Sequence, residues 1–245
     1  MKLLLHACCG PCSLEPVRKL QEAGHDITIY YANSNIAPAD EYRRRYDTLM
    51  SWANEGHLAV IEGIYRPDDW EAAVHDAVCA HNREDRCRAC YRLRFEQSAA
   101  FGAENGFEAL GTTLSVSPYQ YTDIIGEELT RAAQAAGLTP LFEDYRPFYD
   151  EATRRSREMG MYRQNWCGCR ISAAEAAAER EERKAARAQA KAAWAAEHAA
   201  EIEAAKQAKQ ARKAERAAYD KKQQRKKAVL KQMREAAKTH QSDQA

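Results

Sequence analysis

HACCGPCS, residues 6–13, follows the apolar run KLLL at positions 2–5. An apolar run that ends at a Gly-Pro turn and passes into SLEPVRKLQEA (13–23) reads as strand, tight turn and helix. Pro11 suits the first helical turn, where its missing N–H costs nothing, and Gly24 ends the helix. Three cysteines, Cys8, Cys9 and Cys12, therefore fall where a strand's carboxyl end meets a helix N-terminus. Such a terminus offers free N–H groups and positive potential, which favour thiolate over thiol. Thiolate is the form that binds iron or zinc.

Working outward, the strand–helix alternation continues. DITIYYAN (26–33) is β-branched and aromatic, and the segment 38–56 places Tyr42, Tyr46, Leu49, Met50 and Ala53 at helical spacing. A strand over 58–63, helices over 68–81 and 90–106 and a strand over 107–115 follow. A helix over 122–137, a strand over 140–146 and a helix near 150–160 complete the series. Alternation of this kind predicts an α/β fold, a Rossmann-like parallel sheet flanked by helices. In open parallel sheets ligands bind beyond the carboxyl ends of the strands, which places a site at residues 6–13.

The net charge of +1 over 245 residues hides two unlike parts. Residues 1–172 carry 19 Lys and Arg against 25 Asp and Glu, whereas residues 173–245 carry 18 against 11. The second part is mostly Ala, Lys, Arg, Glu and Gln, without Gly, Pro or Cys, which is strong helix composition. Its large apolar residues, Trp194, Ile202, Tyr219, Val229, Leu230 and Met233, do not sustain a heptad, so a long coiled coil is not expected. It reads as a long charged tail, helical or partly disordered, or as a basic arm that adds affinity for nucleic acid. No apolar stretch approaches a membrane span, and the leucine run ended by His6 is too short for a signal peptide. The expected compartment is the cytoplasm, where clustered cysteines point to metal, cluster or redox chemistry rather than disulfides.

All eight cysteines lie in the first part. RCRACYRLR (86–94) sets Cys87 and Cys90 just ahead of a helix, with Arg86, Arg88, Arg92 and Arg94 to stabilise thiolates or an anionic cluster. YRQNWCGCR (162–170) holds Cys167 and Cys169 around one glycine, a spacing that allows a reducible local disulfide, two free thiols or two metal ligands. Cys79 reads as a buried helix residue, and His57, His75 and His81 as structural. The hydroxyl-rich TTLSVSPYQ (112–120) follows a strand, and Tyr162, Arg163, Gln164 and Trp166 adjoin the CGC pair. Aromatics beside Arg and Gln suit a stacked base and a held phosphate, and equally suit ordinary packing.

HACCGPCS, RCRACYRLR, TTLSVSPYQ and GMYRQNWCGC, in this order, resemble the QueH type of epoxyqueuosine reductase over residues 1–172. The resemblance implies a catalytic iron–sulfur α/β domain related to the adenine nucleotide α-hydrolase group, with residues 173–245 outside the family core. It implies reduction of epoxyqueuosine to queuosine at the wobble base of tRNA, the last step of queuosine biosynthesis, with an unidentified electron donor. Carried over, Cys8, Cys9, Cys87 and Cys90 match the ligands of a 4Fe-4S cluster, and Cys167 and Cys169 match a redox-active pair. Cys12 is a candidate ligand for an additional mononuclear iron. His6, read as a group at the site mouth or, in preference, as a satisfied strand residue, and Tyr119, Gln120, Tyr162 and Arg163 are candidate substrate contacts, with His6, Tyr119 and Tyr162 also candidate proton donors. Three rival readings remain, of which the first two are a cluster-dependent tRNA thiolation enzyme, which needs a phosphate loop that HACCGPCS lacks, and a non-catalytic RNA-binding protein with a structural zinc site. A cysteine-based redox sensor is a third.

Overall fold

Leu3, Leu4 and Leu5 have no exposed surface, which is what a strand covered on both faces requires. They belong to β1 (Lys2–His6), the central strand of a five-stranded sheet in the computed structural model. The structure describes the backbone of residues 1–242 and side chains through residue 227. The side chains of Val229, Leu230 and Met233 and the last three residues lie outside the described residues.

The sheet order is β3-β2-β1-β4-β5, with β2 (Asp26–Tyr31), β3 (Ala59–Glu62), β4 (Ala109–Thr112) and β5 (Thr139–Leu141), and every pairing is parallel. Leu5 aligns with Ile29 on one side and Gly111 on the other. Helices α1 (Gly10–Glu22), α2 (Ala39–Glu55), α3 (Pro67–Cys79), α4 (Arg83–Glu104), α5 (Thr122–Ala135) and α6 (Tyr149–Glu158) connect and follow the strands. Alternation along β1 sends Leu4 toward Phe95, Leu110, Ile125 and Leu129 of one layer. Leu3 and Leu5 point the other way, toward Val17, Ile29 and Leu49. Each of these side chains contributes about 1.5–3 kcal/mol by leaving water.

The chain runs from β1 outward through β2 and β3, then returns to β4 on the other side of β1. That reversal opens a crevice between the carboxyl ends of β1 and β4, and residues 7–13 lie at it.

Three expected elements differ in extent. Helix α4 begins at Arg83, because Asn82 caps it by accepting from the Asp85 N–H at 3.1 Å. Cys87 and Cys90 thus sit inside α4 rather than ahead of it. The strand expected over 107–115 is short and passes into a 3₁₀ turn at Leu114–Val116, and the last strand keeps only three residues. The chain divides into two compact units, Met1–Ala178 and Glu179–Ala245. Helix α7 (Arg170–Glu197) starts in the first, and α8 (Ala199–Ser242) forms most of the second. In the second unit Trp194 and Tyr219 are exposed.

Candidate metal and redox site

Cys9 is the N-cap residue of α1. The Sγ atoms of Cys8, Cys9 and Cys12 lie within 4.8 Å of one another, a donor set that can hold a metal ion. Hydrogen bonds from the Cys12 and Cys8 thiols, with the Cys12 backbone N–H, hold the Cys9 thiol well below its usual range. The same contacts, with burial, push Cys12 up. Gly10 lies in a close approach between elements: a Cβ there would stand 2.7 Å from the Met161 methyl, which would have to move, and 3.4 Å from the Thr48 carbonyl oxygen.

The second cysteine group comes from the helix period. Positions 87, 90 and 94 share one face of α4, while 88 and 92 share the opposite one. Arg88 and Arg92 bind Glu128 at 3.3 and 3.0 Å, away from the sulfurs. Arg94 turns inward, is 3% exposed, and donates from Nη2 to Asn33 Oδ1 at 2.5 Å. Among the described residues no carboxylate pairs with it. Burial pushes the Cys90 thiol up against the opposing Arg94 charge, while at Cys167 the same charge adds to a downward shift. Arg86 grips Glu175 through two bonds of 2.8 Å.

Cys167 and Cys169 precede α7 and are free thiols with sulfurs 3.7 Å apart. The Ser172 N–H in the first turn donates to Cys169 Sγ at 3.3 Å, and Ser172 Oγ lies 2.9 Å from Cys167 Sγ. The neighbouring Cys169 thiol brings Cys167 down to about 6, while Cys169 itself is pushed up. The loop after β2 holds this pair in place: the Ala37 N–H donates to the Gly168 carbonyl at 3.0 Å. Cys87, Cys90, Cys167 and Cys169 line one pocket with Asn35, Trp70, Arg94 and Gln120. The second and third cysteine groups therefore share one pocket with the buried Arg94 guanidinium.

The proposed substrate contacts scatter. His6 is fully buried, its ring nitrogens 3.2 Å from Thr112 Oγ1 and the Ala32 carbonyl, and burial lowers its pKa to about 3. It is a core residue, not a group at the site mouth. The Tyr162 hydroxyl donates to Glu41 at 2.7 Å, and Arg163 donates to the Thr153 carbonyl at 3.0 Å. Gln120 lines the pocket and accepts from the Tyr91 hydroxyl at 2.6 Å. Tyr119 is 75% exposed, edge-on to Tyr149 with ring centres 6.1 Å apart. Cys79 is exposed rather than buried, because Trp70 and Val74 carry the inward face of α3.

Four residues escaped the sequence reading. Arg45 belongs to the arginine run 43–45, which as a basic cluster suggests phosphate contacts, yet it is 1% exposed. Tyr149 falls at a helix start, and Trp70 lies, unmarked, in the helix expected over 68–81. Asn35 looked like turn composition. Only the NSN triplet after β2 carried a signal, since a loop at a strand's carboxyl end is where ligands bind.

The model of the family described as epoxyqueuosine reductase QueH matches residues 3–175. The epoxyqueuosine reductase QueH of Dehalococcoides mccartyi is 30% identical over 169 residues, covering 69% of this chain and 90% of that protein. That of Thermotoga maritima is 31% identical over 175 residues, covering 69% and 89%. That of Acinetobacter baylyi is 31% identical over 171 residues, covering 69% and 78%. The match spans every cysteine of the site and stops before the second compact unit, and on it the chain belongs to the epoxyqueuosine reductase QueH family.

Proposed function

We propose that the protein reduces epoxyqueuosine in tRNA to queuosine, as the names of its relatives state for them. The observation that carries the reading is a pocket lined by Cys87, Cys90, Cys167 and Cys169 together with Arg94, a buried cation without a carboxylate partner among the described residues, beside a second sulfur group, Cys8, Cys9 and Cys12, at the start of α1. A buried guanidinium needs a counter-anion, and thiolates bound to iron supply one. The donor set, the charge and the burial thus fit an iron–sulfur cluster. Cys8, Cys9, Cys87 and Cys90 would hold a 4Fe-4S cluster, and Cys12, beside Cys8 and Cys9, is available to an additional iron. When bound, such a cluster passes electrons singly, from a donor outside the chain.

The reaction consumes two electrons and two protons, releases the epoxide oxygen as water and leaves an alkene. Oxidation of the Cys167 and Cys169 thiols to a disulfide would release two electrons and two protons, which matches that demand. Their 3.7 Å separation is short enough for a small loop movement to close. Arg94 holds negative charge at the pair. The proton donor is not His6, whose nitrogens are engaged in the core. Tyr119 is exposed and free to meet a base. Among the described residues no helix is long and apolar enough to cross a membrane.

The test is anaerobic purification with iron, zinc and sulfide assays, then turnover of epoxyqueuosine tRNA with a chemical reductant. The expected result is about four irons and four sulfides per chain and conversion to queuosine. Zinc without sulfide, and no turnover, would overturn the reductase reading in favour of an RNA-binding protein with a structural zinc site.

A further inference from the structure

Three buried side chains in the cysteine pocket carry N–H groups that bond to nothing within the protein. Asn35, Trp70 and Arg94 are 1%, 3% and 3% exposed. The Trp70 Nε1, the Arg94 Nε and both amide atoms of Asn35 lack a hydrogen-bond partner. Buried polar atoms in folded proteins are nearly always paired, so this concentration marks a missing acceptor. Asn35 offers an N–H₂ to the pocket in either amide orientation, because both ends are unpartnered. Trp70 is the more telling residue: its indole only donates, so what it faces must accept.

The pocket wall supplies the acceptor's chemistry. Cys87, Cys90, Cys167 and Cys169 line the same space. A thiol sulfur is a weak acceptor, whereas a metal-bound thiolate or sulfide accepts N–H well, and such bonds set cluster potentials. Asn35 is held by its neighbours: the Asn33 Nδ2 bonds the Ala7 carbonyl at 2.8 Å, and Ala37 bonds the Gly168 carbonyl. The Asn35 carboxamide lines the pocket from this anchored loop.

We propose that the Trp70 indole N–H and the Asn35 carboxamide N–H donate to the sulfurs of the metal group on Cys87 and Cys90, and so raise its reduction potential. The inference rests on the iron–sulfur reading above. One-electron reduction by an external reductant adds one negative charge to the group. N–H dipoles aimed at sulfur stabilise the more negative, reduced state.

The experiment uses full-length protein purified anaerobically, as wild type, Trp70→Phe and Asn35→Leu. Both substitutions remove the donor; Trp70→Phe keeps an aromatic ring, and Asn35→Leu keeps the branched shape. Iron and sulfide are assayed first, and midpoint potentials are read by dithionite titration with redox mediators. Each variant is expected to keep its iron and to lose about tenfold in its reduction equilibrium, a midpoint about 59 mV more negative. Midpoints of both variants equal to wild type, with full iron, would overturn the inference and leave the family function standing. Loss of iron in Trp70→Phe would also overturn it, since the N–H would then serve assembly. Wild type that holds zinc and no sulfide would sink the cluster reading, and this inference with it.

Discussion

Arg45 donates from Nη1 to the backbone carbonyl of Cys167 at 3.0 Å, while its Nε binds Glu41 Oε1 at 2.7 Å. One buried guanidinium thereby ties α2 to the CGC loop across the sheet crevice. The Arg45 side chain is 1% exposed and that of Glu41 8%. Arg45→Met strands the Glu41 charge, and breaking a buried pair in this way costs about 3–5 kcal/mol. Urea unfolding should show a loss of that order, with Arg45→Lys in between. Unchanged stability in Arg45→Met would mean the loop is held by other contacts.

Gly168 stands at the tip of that loop with φ +120°. A Cβ there would lie 2.8 Å from Ile36 Cγ1 and 3.1 Å from Arg45 Nη1. Gly168→Ala is therefore expected to cost about 1–3 kcal/mol from backbone strain and contact together. Gly137 also has positive φ, +73°, but open space around it, so Gly137→Ala isolates the backbone part. Equal losses in the two variants would show that the close approach to Ile36 and Arg45 is immaterial.

The strand–turn–helix at HACCGPCS was legible because an apolar run, Gly-Pro and an amphipathic helix each point to the same local structure. The parallel sheet followed from alternation alone. The α4 start was misplaced because Asn82 and Asp85 form a cap in a stretch that otherwise reads as charged loop. Buried charge was the least legible feature. Arg43 and Arg44 are exposed while Arg45 is buried, and no composition rule separates three consecutive arginines. In the same way Arg92 turns out to Glu128 and Arg94 inward to Asn33, in the lining of the cysteine pocket. Only the 100° step of a helix whose start is known decides between them.

Cys167→Ser tests the redox pair. Serine is nearly isosteric and preserves a polar contact to Ser172, 2.9 Å away. Turnover of epoxyqueuosine tRNA should fall at least about a hundredfold, or about 2.7 kcal/mol in barrier. Iron, sulfide and melting temperature should stay at wild-type values. Full activity would remove the dithiol from the mechanism.

Acid stability should carry the mark of Glu128. Burial acts to raise its pKa, but hydrogen bonds from Arg92, Arg131 and Arg88 outweigh burial and hold it at about 2. A folded pKa below the unfolded value of about 4.3 stabilises the fold above that pH. The contribution is lost as pH falls from about 4.3 toward 2. The three arginines are 31–49% exposed, so solvent screening limits it to about 1–2 kcal/mol. Glu128→Gln should flatten stability against pH in this window. Parallel curves for variant and wild type would contradict the assignment.

The boundary of the basic tail matters for any truncation. Many core arginines already hold internal carboxylates: Arg86 with Glu175, Arg154 with Glu151 and Glu158, Arg155 with Glu15. Phosphate contacts then fall more heavily on the tail's cations. A chain cut at residue 173 loses Glu175 and leaves Arg86, 7% exposed, without its bidentate partner. A chain ending at Ala178 keeps that pair and the whole first compact unit. The 1–178 chain is expected to melt like the full protein, bind tRNA more weakly and lose binding less steeply as salt rises. The 1–173 chain should in addition be about 2–4 kcal/mol less stable. Equal tRNA affinity and equal salt slopes for 1–178 and full-length protein would show that the tail takes no part in binding.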